Sequence, residues 1–557
     1  MNKREYIITL KNKEELLSFY NDMETKGGTS FIPNRAIPVK DRRPISRNTH
    51  YMLSVSEAEK IKKDPRVLSV ELTFEEQGIQ IKPSRSITST LWNKSNTISS
   101  LHKNWALLRC VEGSQRSNWG IDGTTNVTGT ANLTSTGKHV DVVVVDGHFD
   151  PSHVEFAVNA DGTGGSRVNQ FNWLSLTPEV TGGSAGTYVY PPYIDPSYPD
   201  NNNNGISDRT ENNDHGACVA SIVAGNTQGW ASDAVIYNIS PYFSNPNTGI
   251  NAGTAMDYVR VWHNSKPINP VTGRKNPTIT NHSYGISNSI EVSSITQVRY
   301  RGVVNNGPFT SSQLTAFGIY NYDSGGGVFV ADFPTRSIAV DADLIDAMND
   351  GIIIVGAAGN EGVKVNNYSN NINDDYNNYL VSNGQLYFYS QGALLATPGS
   401  IYVGGVSIRV NETKISYSNC GPRIDIYAPG QLIMTALNSA GFVGDPRNST
   451  YRLTKVGGTS FSAPQVAGAL ACLAEQWPTM TQEQALRYIT ENAKVNQMTD
   501  TGGGTTDFFS LQGSENRYLY YVKERQEQGQ VSPKVNQGFR PTSGMTWPRP
   551  RIYRYGR

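Results

Sequence analysis

The sequence predicts an α/β protein with a doubly wound, mainly parallel sheet, a small α+β domain in front of it and an irregular tail behind. Three observations carry this. From about residue 105 to 497, short Val/Ile-rich runs ending in Gly, Asn, Asp or Ser alternate with helical stretches. Apolar runs separated by helices are strands covered on both faces, the situation of a parallel sheet. Before that, residues 1–77 mix short strands with amphipathic helices, and after it residues 498–557 lose any clear period.

In the first unit, residues 6–10 (YIITL) read as a strand and residues 11–26 as an amphipathic helix. Residues 49–55 form a second strand, followed by a helix expected to open on Ser56 as N-cap and to stop at Pro65. Residues 67–74 form a third strand. The Ser/Thr/Asn-rich stretch 78–104 reads as a linker or processing region.

In the second unit the expected strands are 139–146, 233–240, 278–285, 351–360 and 400–408. Between or after them lie helical stretches at 217–225, 255–264, 341–350, 462–476 and 481–494. Two Asn/Gly/Tyr-rich insertions interrupt the pattern at about 286–336 and 363–397. In such sheets functional residues gather at the carboxyl ends of strands.

Bulk properties narrow the partners. Lys plus Arg balance Asp plus Glu, 48 against 48, so no net field draws the chain to nucleic acid or a membrane. Cys110, Cys218, Cys420 and Cys472 are scattered, which favours buried thiols over a disulfide framework. No run is long and apolar enough for a span or a signal peptide, so synthesis in the cytoplasm is the expectation.

Four local patterns carry chemistry. Ser460 follows a small-residue turn and precedes a long apolar helix, where free N–H groups and the helix dipole favour negative charge beside the hydroxyl. Asp146 ends a buried strand, where a carboxylate can hold an imidazole in one tautomer. His215 opens a small-residue helix and titrates near neutrality, as a general base must. Asn360 emerges from another buried strand with an amide able to donate to an oxyanion. Singly, each is an ordinary turn, cap or polar residue. Together, in the order Asp, His, Ser, they match one of the known triad orders, and the absence of G-x-S-x-G at Ser460 disfavours a lipase or esterase.

The segments VVVVD, DHGACVAS, TNHSYG, GIIIVGAAGNEG, YSNCGPRIDIYAPG and GGTSFSAPQVAGA resemble the successive signature blocks of the subtilisin-like serine protease family. The resemblance implies a serine endopeptidase: Ser460 as nucleophile, His215 as base and then acid, Asp146 as its partner. It implies Asn360 and the Ser460 N–H as the oxyanion hole, and Ser283, Tyr284, Gly285 and Gly359 as substrate-binding positions for an extended polypeptide. Residues 1–77 resemble the family's ferredoxin-like propeptide, which implies a precursor inhibited by its own N-terminal domain. No cofactor is required and no metal ligand is assigned.

Several departures matter. Gly147 and His148 follow Asp146 where the family has Ser or Thr and then Gly, and His148 is expected at the surface. Cys218 is expected to be a small buried residue. Phe461 stands beside the nucleophile where many relatives carry Met. The family's Asn-bearing calcium loop is missing after residue 225, and the acidic, Asn-rich stretch 198–214 offers oxygen ligands for calcium without a recognisable spacing. The insertions and the Pro/Arg/Tyr tail leave a second reading open, a structural or virion-associated protein on this scaffold, with the tail docking into a larger assembly.

Overall fold

The computed structural model describes residues 3–25, 36–42, 48–72, 85–115, 119, 126–190, 213–241, 250, 254–437 and 442–521. The chain divides into two compact units with a boundary between residues 82 and 83.

The first unit has the order β1 (Arg4–Leu10), α1 (Leu16–Glu24), β2 (Val39–Arg42), β3 (Asn48–Leu53), α2 (Val55–Ile61) and β4 (Val67–Leu72). Its antiparallel sheet runs β2-β3-β1-β4, the ferredoxin-like arrangement. Ile8, Leu10, Phe19, Tyr51 and Leu53 form the centre of its core. Two local expectations are corrected. The four-residue strand β2 is too short to show a period in the sequence. The N-cap of α2 is Ser54 and not Ser56, because Ser54 closes a capping box with Glu57 three residues on.

The second unit begins with β5 (Arg85–Trp92) and α3 (Trp105–Glu112), and β5 pairs with β6 (Val127–Leu133). Residues 85–104 are therefore part of this unit and not a linker. Ser and Thr side chains of β5 point out of a two-stranded ribbon while Ile87 and Trp92 are buried, so a folded edge reads as a polar stretch. Arg85 is tied to the carbonyls of Asn226, Gly229 and Trp230.

The large sheet uses β7 (Asp141–Val145), β8 (Val168–Asn169), β9 (Val235–Ile239), β10 (Thr278–His282), β11 (Ile353–Ala357), β12 (Ile401–Val406), β13 (Ile426–Pro429), β14 (Lys494–Val495) and β15 (Arg517–Tyr518). Its order is β14-β15-β13-β12-β11-β10-β7-β9-β8, parallel throughout except for β14 against β15. The helices are α4 (Asn213–Ala224), α5 (Ala255–Ser265), α6 (Ile338–Asn349), α7 (Ala463–Gln476) and α8 (Gln482–Asn492). The predicted α/β class and its five long strands match this architecture. The C-terminal boundary moves, however. Tyr518, Leu519 and Tyr521 are buried, and the two-residue β15 pairs with β13, so the unit continues to at least Tyr521 and does not stop at 497.

The two insertions fold together. Strand Ile295–Tyr300 of the first pairs with Tyr379–Ser382 of the second, and Val298, Leu314, Phe333, Leu380 and Tyr389 share one core. The stretch 198–212 and the tail beyond Tyr521 lie outside the described residues. Among the described residues no helix is long and apolar enough to cross a membrane, and no group of three or more His, Cys, Asp or Glu is placed to hold a metal ion.

Candidate functional site

Parallel register brings the candidate residues to one edge. Val145 lies opposite both Ile239 and His282, and His282 lies opposite Gly356. The residues just past β7, β10 and β11, namely Asp146, Ser283 and the Gly359–Asn360 pair, therefore emerge side by side. Helices α4 and α7, which pack on each other, bring His215 and Ser460 to the same edge.

Asp146 is fully buried. Its carboxylate accepts from Nδ1 of His215 at 2.9 and 3.1 Å and from the N–H of Gly147 at 2.7 Å. The carboxylate on Nδ1 assigns the proton to that nitrogen and leaves Nε2 as a base. Burial opposes charge on His215, but the charge and hydrogen bond of Asp146 outweigh it and hold the pKa above its ordinary value. The helix comes this close only because residue 216 is glycine: a Cβ there would overlap the Gly147 carbonyl oxygen.

Ser460 lies on the 3-10 turn Thr459–Phe461 that leads into α7, with Pro464 in that helix's first turn. Its hydroxyl donates to the carbonyl of Ser283 at 3.1 Å and not to His215, while the Ser283 hydroxyl donates to the carbonyl of Ser460 at 2.7 Å. The His215 ring lies 5.4 Å from that of Phe461. The thiol of Cys218 is buried and donates to the carbonyl of Ala436.

Asn360 is held from one side. Its Oδ1 accepts from both the N–H and the hydroxyl of Thr459 at 3.0 Å. A backbone N–H can only donate, so the amide is oriented with its NH2 away from Thr459. The same hydroxyl accepts from the N–H of Gly359 at 3.1 Å. Gly359 has φ +97°, and a Cβ there would press on Asn419 and Glu361. Asn419 donates to the Ala358 carbonyl at 2.8 Å and to Glu361 at 2.6 Å, and burial raises the pKa of Glu361. Of the remaining expected positions, Gly285 is exposed and Tyr284 is half-buried, with its hydroxyl 3.2 Å from Nδ1 of His282.

The subtilase family matches residues 137–517 of the chain. The chain belongs to the subtilase family. Among curated relatives, alkaline serine exoprotease A of Vibrio alginolyticus is 24% identical over 247 residues, 44% of this chain and 36% of that protein. Subtilisin E of Bacillus subtilis (strain 168) is 30% identical over 151 residues, 27% of this chain and 31% of that protein. The chain thus spans about a third of the length of these curated relatives. A crystal structure of a cold adapted subtilisin-like serine proteinase aligns with 75% of this chain and 98% of its own, at 17% identity and a TM-score of 0.42.

Three features of this subtilase were not anticipated. His148 is buried, not at the surface, because the segment before residue 190 lays Tyr188 and Tyr190 against it. Thr459 and Asn419 lie inside recognised blocks but carry no chemical signature of their own. Asn238 had a usable signal: it is an amide inside the apolar run of β9, and a buried amide must find partners.

Proposed function

We propose that this subtilase is a serine endopeptidase that cleaves extended polypeptides through an acyl-enzyme. The observation that carries the reading is the bond between His215 and the buried carboxylate of Asp146, at the sheet edge where the Ser460 hydroxyl also emerges. In this mechanism the Ser460 side chain rotates off the Ser283 carbonyl toward Nε2 of His215, which takes its proton as Oγ attacks the scissile carbonyl. Asp146 stabilises the imidazolium. The amide NH2 of Asn360 and the N–H of Ser460 receive the oxyanion. His215 then protonates the leaving amine, and water repeats the sequence on the ester. The substrate adds as a strand along Ser283, Tyr284 and Gly285, with Gly359 on the oxyanion side.

The ferredoxin-like first unit supports a self-inhibited precursor. Leu72 and Arg85 both belong to folded strands, so a self-cut is expected between them. Intact mass and fluorophosphonate labelling of the full chain, beside Ser460→Ala, test the reading. Labelling of the parent at Ser460 with loss of the N-terminal unit is expected, and neither in the variant. Labelling without a cut makes the first unit a permanent domain. A parent that stays full length and unlabelled replaces the protease reading with the scaffold reading.

A further inference from the structure

Residue 147, in the turn after β7, is glycine and has no side chain of its own to brace Asp146. A different side chain braces the backbone around it. The side-chain NH2 of Asn238 shares its two hydrogens among three backbone carbonyls at the end of β7 and in the turn after it, those of Val144 at 3.0 Å, Asp146 at 3.2 Å and Gly147 at 3.3 Å. These acceptors set the amide's orientation, so its Oδ1 faces Nδ1 of His148, 2.7 Å away. An amide oxygen only accepts, hence Nδ1 of His148 carries the proton and Nε2 does not. The Tyr188 hydroxyl accepts from the N–H of Ser240 at 2.8 Å, leaving its own proton for Nε2 of His148 at 3.4 Å. The backbone carbonyl of Asn238 is fixed in turn by Trp173 at 2.7 Å and Tyr190 at 3.1 Å.

We propose that His148 is a positioning residue for the Asp146–His215 pair, acting through Asn238, a role that rests on the protease reading above. The turn it braces touches both partners. The N–H of Gly147 donates to the Asp146 carboxylate, and the Gly147 carbonyl is the surface on which Gly216, beside His215, is packed. Movement of this one peptide changes the carboxylate and the imidazole together. His148 does not touch substrate or any reacting atom. The tyrosine rings enclose it at 5.4 Å each, and burial keeps it neutral down to about pH 4, so the bonding order holds at neutral pH.

Two replacements separate positioning from filling. His148→Phe keeps the ring volume and loses the donor to Asn238; His148→Asn keeps a donor at that position and loses the ring. For His148→Phe, kcat on a peptide substrate is expected to fall about 10- to 100-fold with KM within about twofold, and His148→Asn is expected to retain most of kcat. In parallel, 13Cε1-histidine NMR is expected to show the pKa of His215 falling toward its ordinary value in His148→Phe but not in His148→Asn. Tyr188→Phe, which loses one hydroxyl, is expected to move both readouts the same way by less, and decides the matter if His148→Phe does not fold. The proposal is overturned if His148→Phe keeps kcat and the His215 titration, or if His148→Asn falls as far as His148→Phe. A parent without turnover overturns the protease reading alone, and the His215 titration then decides this proposal.

Discussion

Two corners of the sheet edge are built differently. At the corner of Asn360 and Ser460, one residue makes the brace: Thr459, which precedes Ser460 and lies 99 positions from Asn360, orients Asn360 with its backbone and hydroxyl. At the corner of Asp146 and His215, the brace comes from Asn238, His148 and Tyr188, spread over some ninety residues of chain. Both braces need the folded edge, but the first is a single direct contact, whereas the second passes through three side chains in series. The first has one link to lose; the second can also be perturbed through the segment that carries Tyr188.

The comparison is broken most severely at the carboxylate. Asp146→Asn leaves the shape but presents the wrong hydrogen-bonding group to Nδ1, and kcat is expected to fall about 10⁴-fold. At the other corner, Asn360→Ala is expected to cost about 10²- to 10³-fold in kcat, the usual effect of losing an oxyanion donor, with KM little changed. Thr459→Val keeps the N–H but removes the hydroxyl that both orients Asn360 and accepts from Gly359. Its expected loss, about tenfold in kcat, is smaller than that of Asn360→Ala, and a loss as large would mean that Thr459 does more than orient.

Acid sharpens the contrast further. Burial lowers the pKa of His148 to about 4 and of His282 to about 3, so the unfolded chain takes up these protons first. Their contribution to stability is complete above about pH 6.5 and is lost as the pH falls toward 4. His215 has the opposite sign: its raised pKa stabilises the fold below about pH 6.5 and that contribution is lost as the pH rises through the raised value. Thermal melts from pH 7 to pH 4 are expected to show a steeper fall for the parent than for His148→Phe, which has no such proton to gain. The smallest effect concerns Phe461, which carries no thioether. Mild peroxide is expected to leave residual activity nearly unchanged in the parent, with Cys218 buried, and to reduce it in Phe461→Met.

Much of the fold was readable because the strands are buried on both faces. Runs such as DVVVV and GIIIV have no polar face to conceal them, and their ends mark the site's edge. The edge elements were not readable. Strand β5 shows a solvated Ser/Thr face, β15 has two residues, and the insertions join through pairing between Ile295–Tyr300 and Tyr379–Ser382 and a core shared across them.

By itself, the sequence determined the α/β class, the order of the blocks and the candidate residues Asp146, His215, Asn360 and Ser460. Each stands at the end of an element whose period or apolarity is local. Only the tertiary structure decided what holds them. Nothing near His148 in the chain indicates that its ring is buried between Tyr188 and Tyr190, or that its proton faces Asn238. The physical reason is that the direction of a hydrogen bond between distant segments is set by which strands lie side by side, and that follows from topology, not from local propensity.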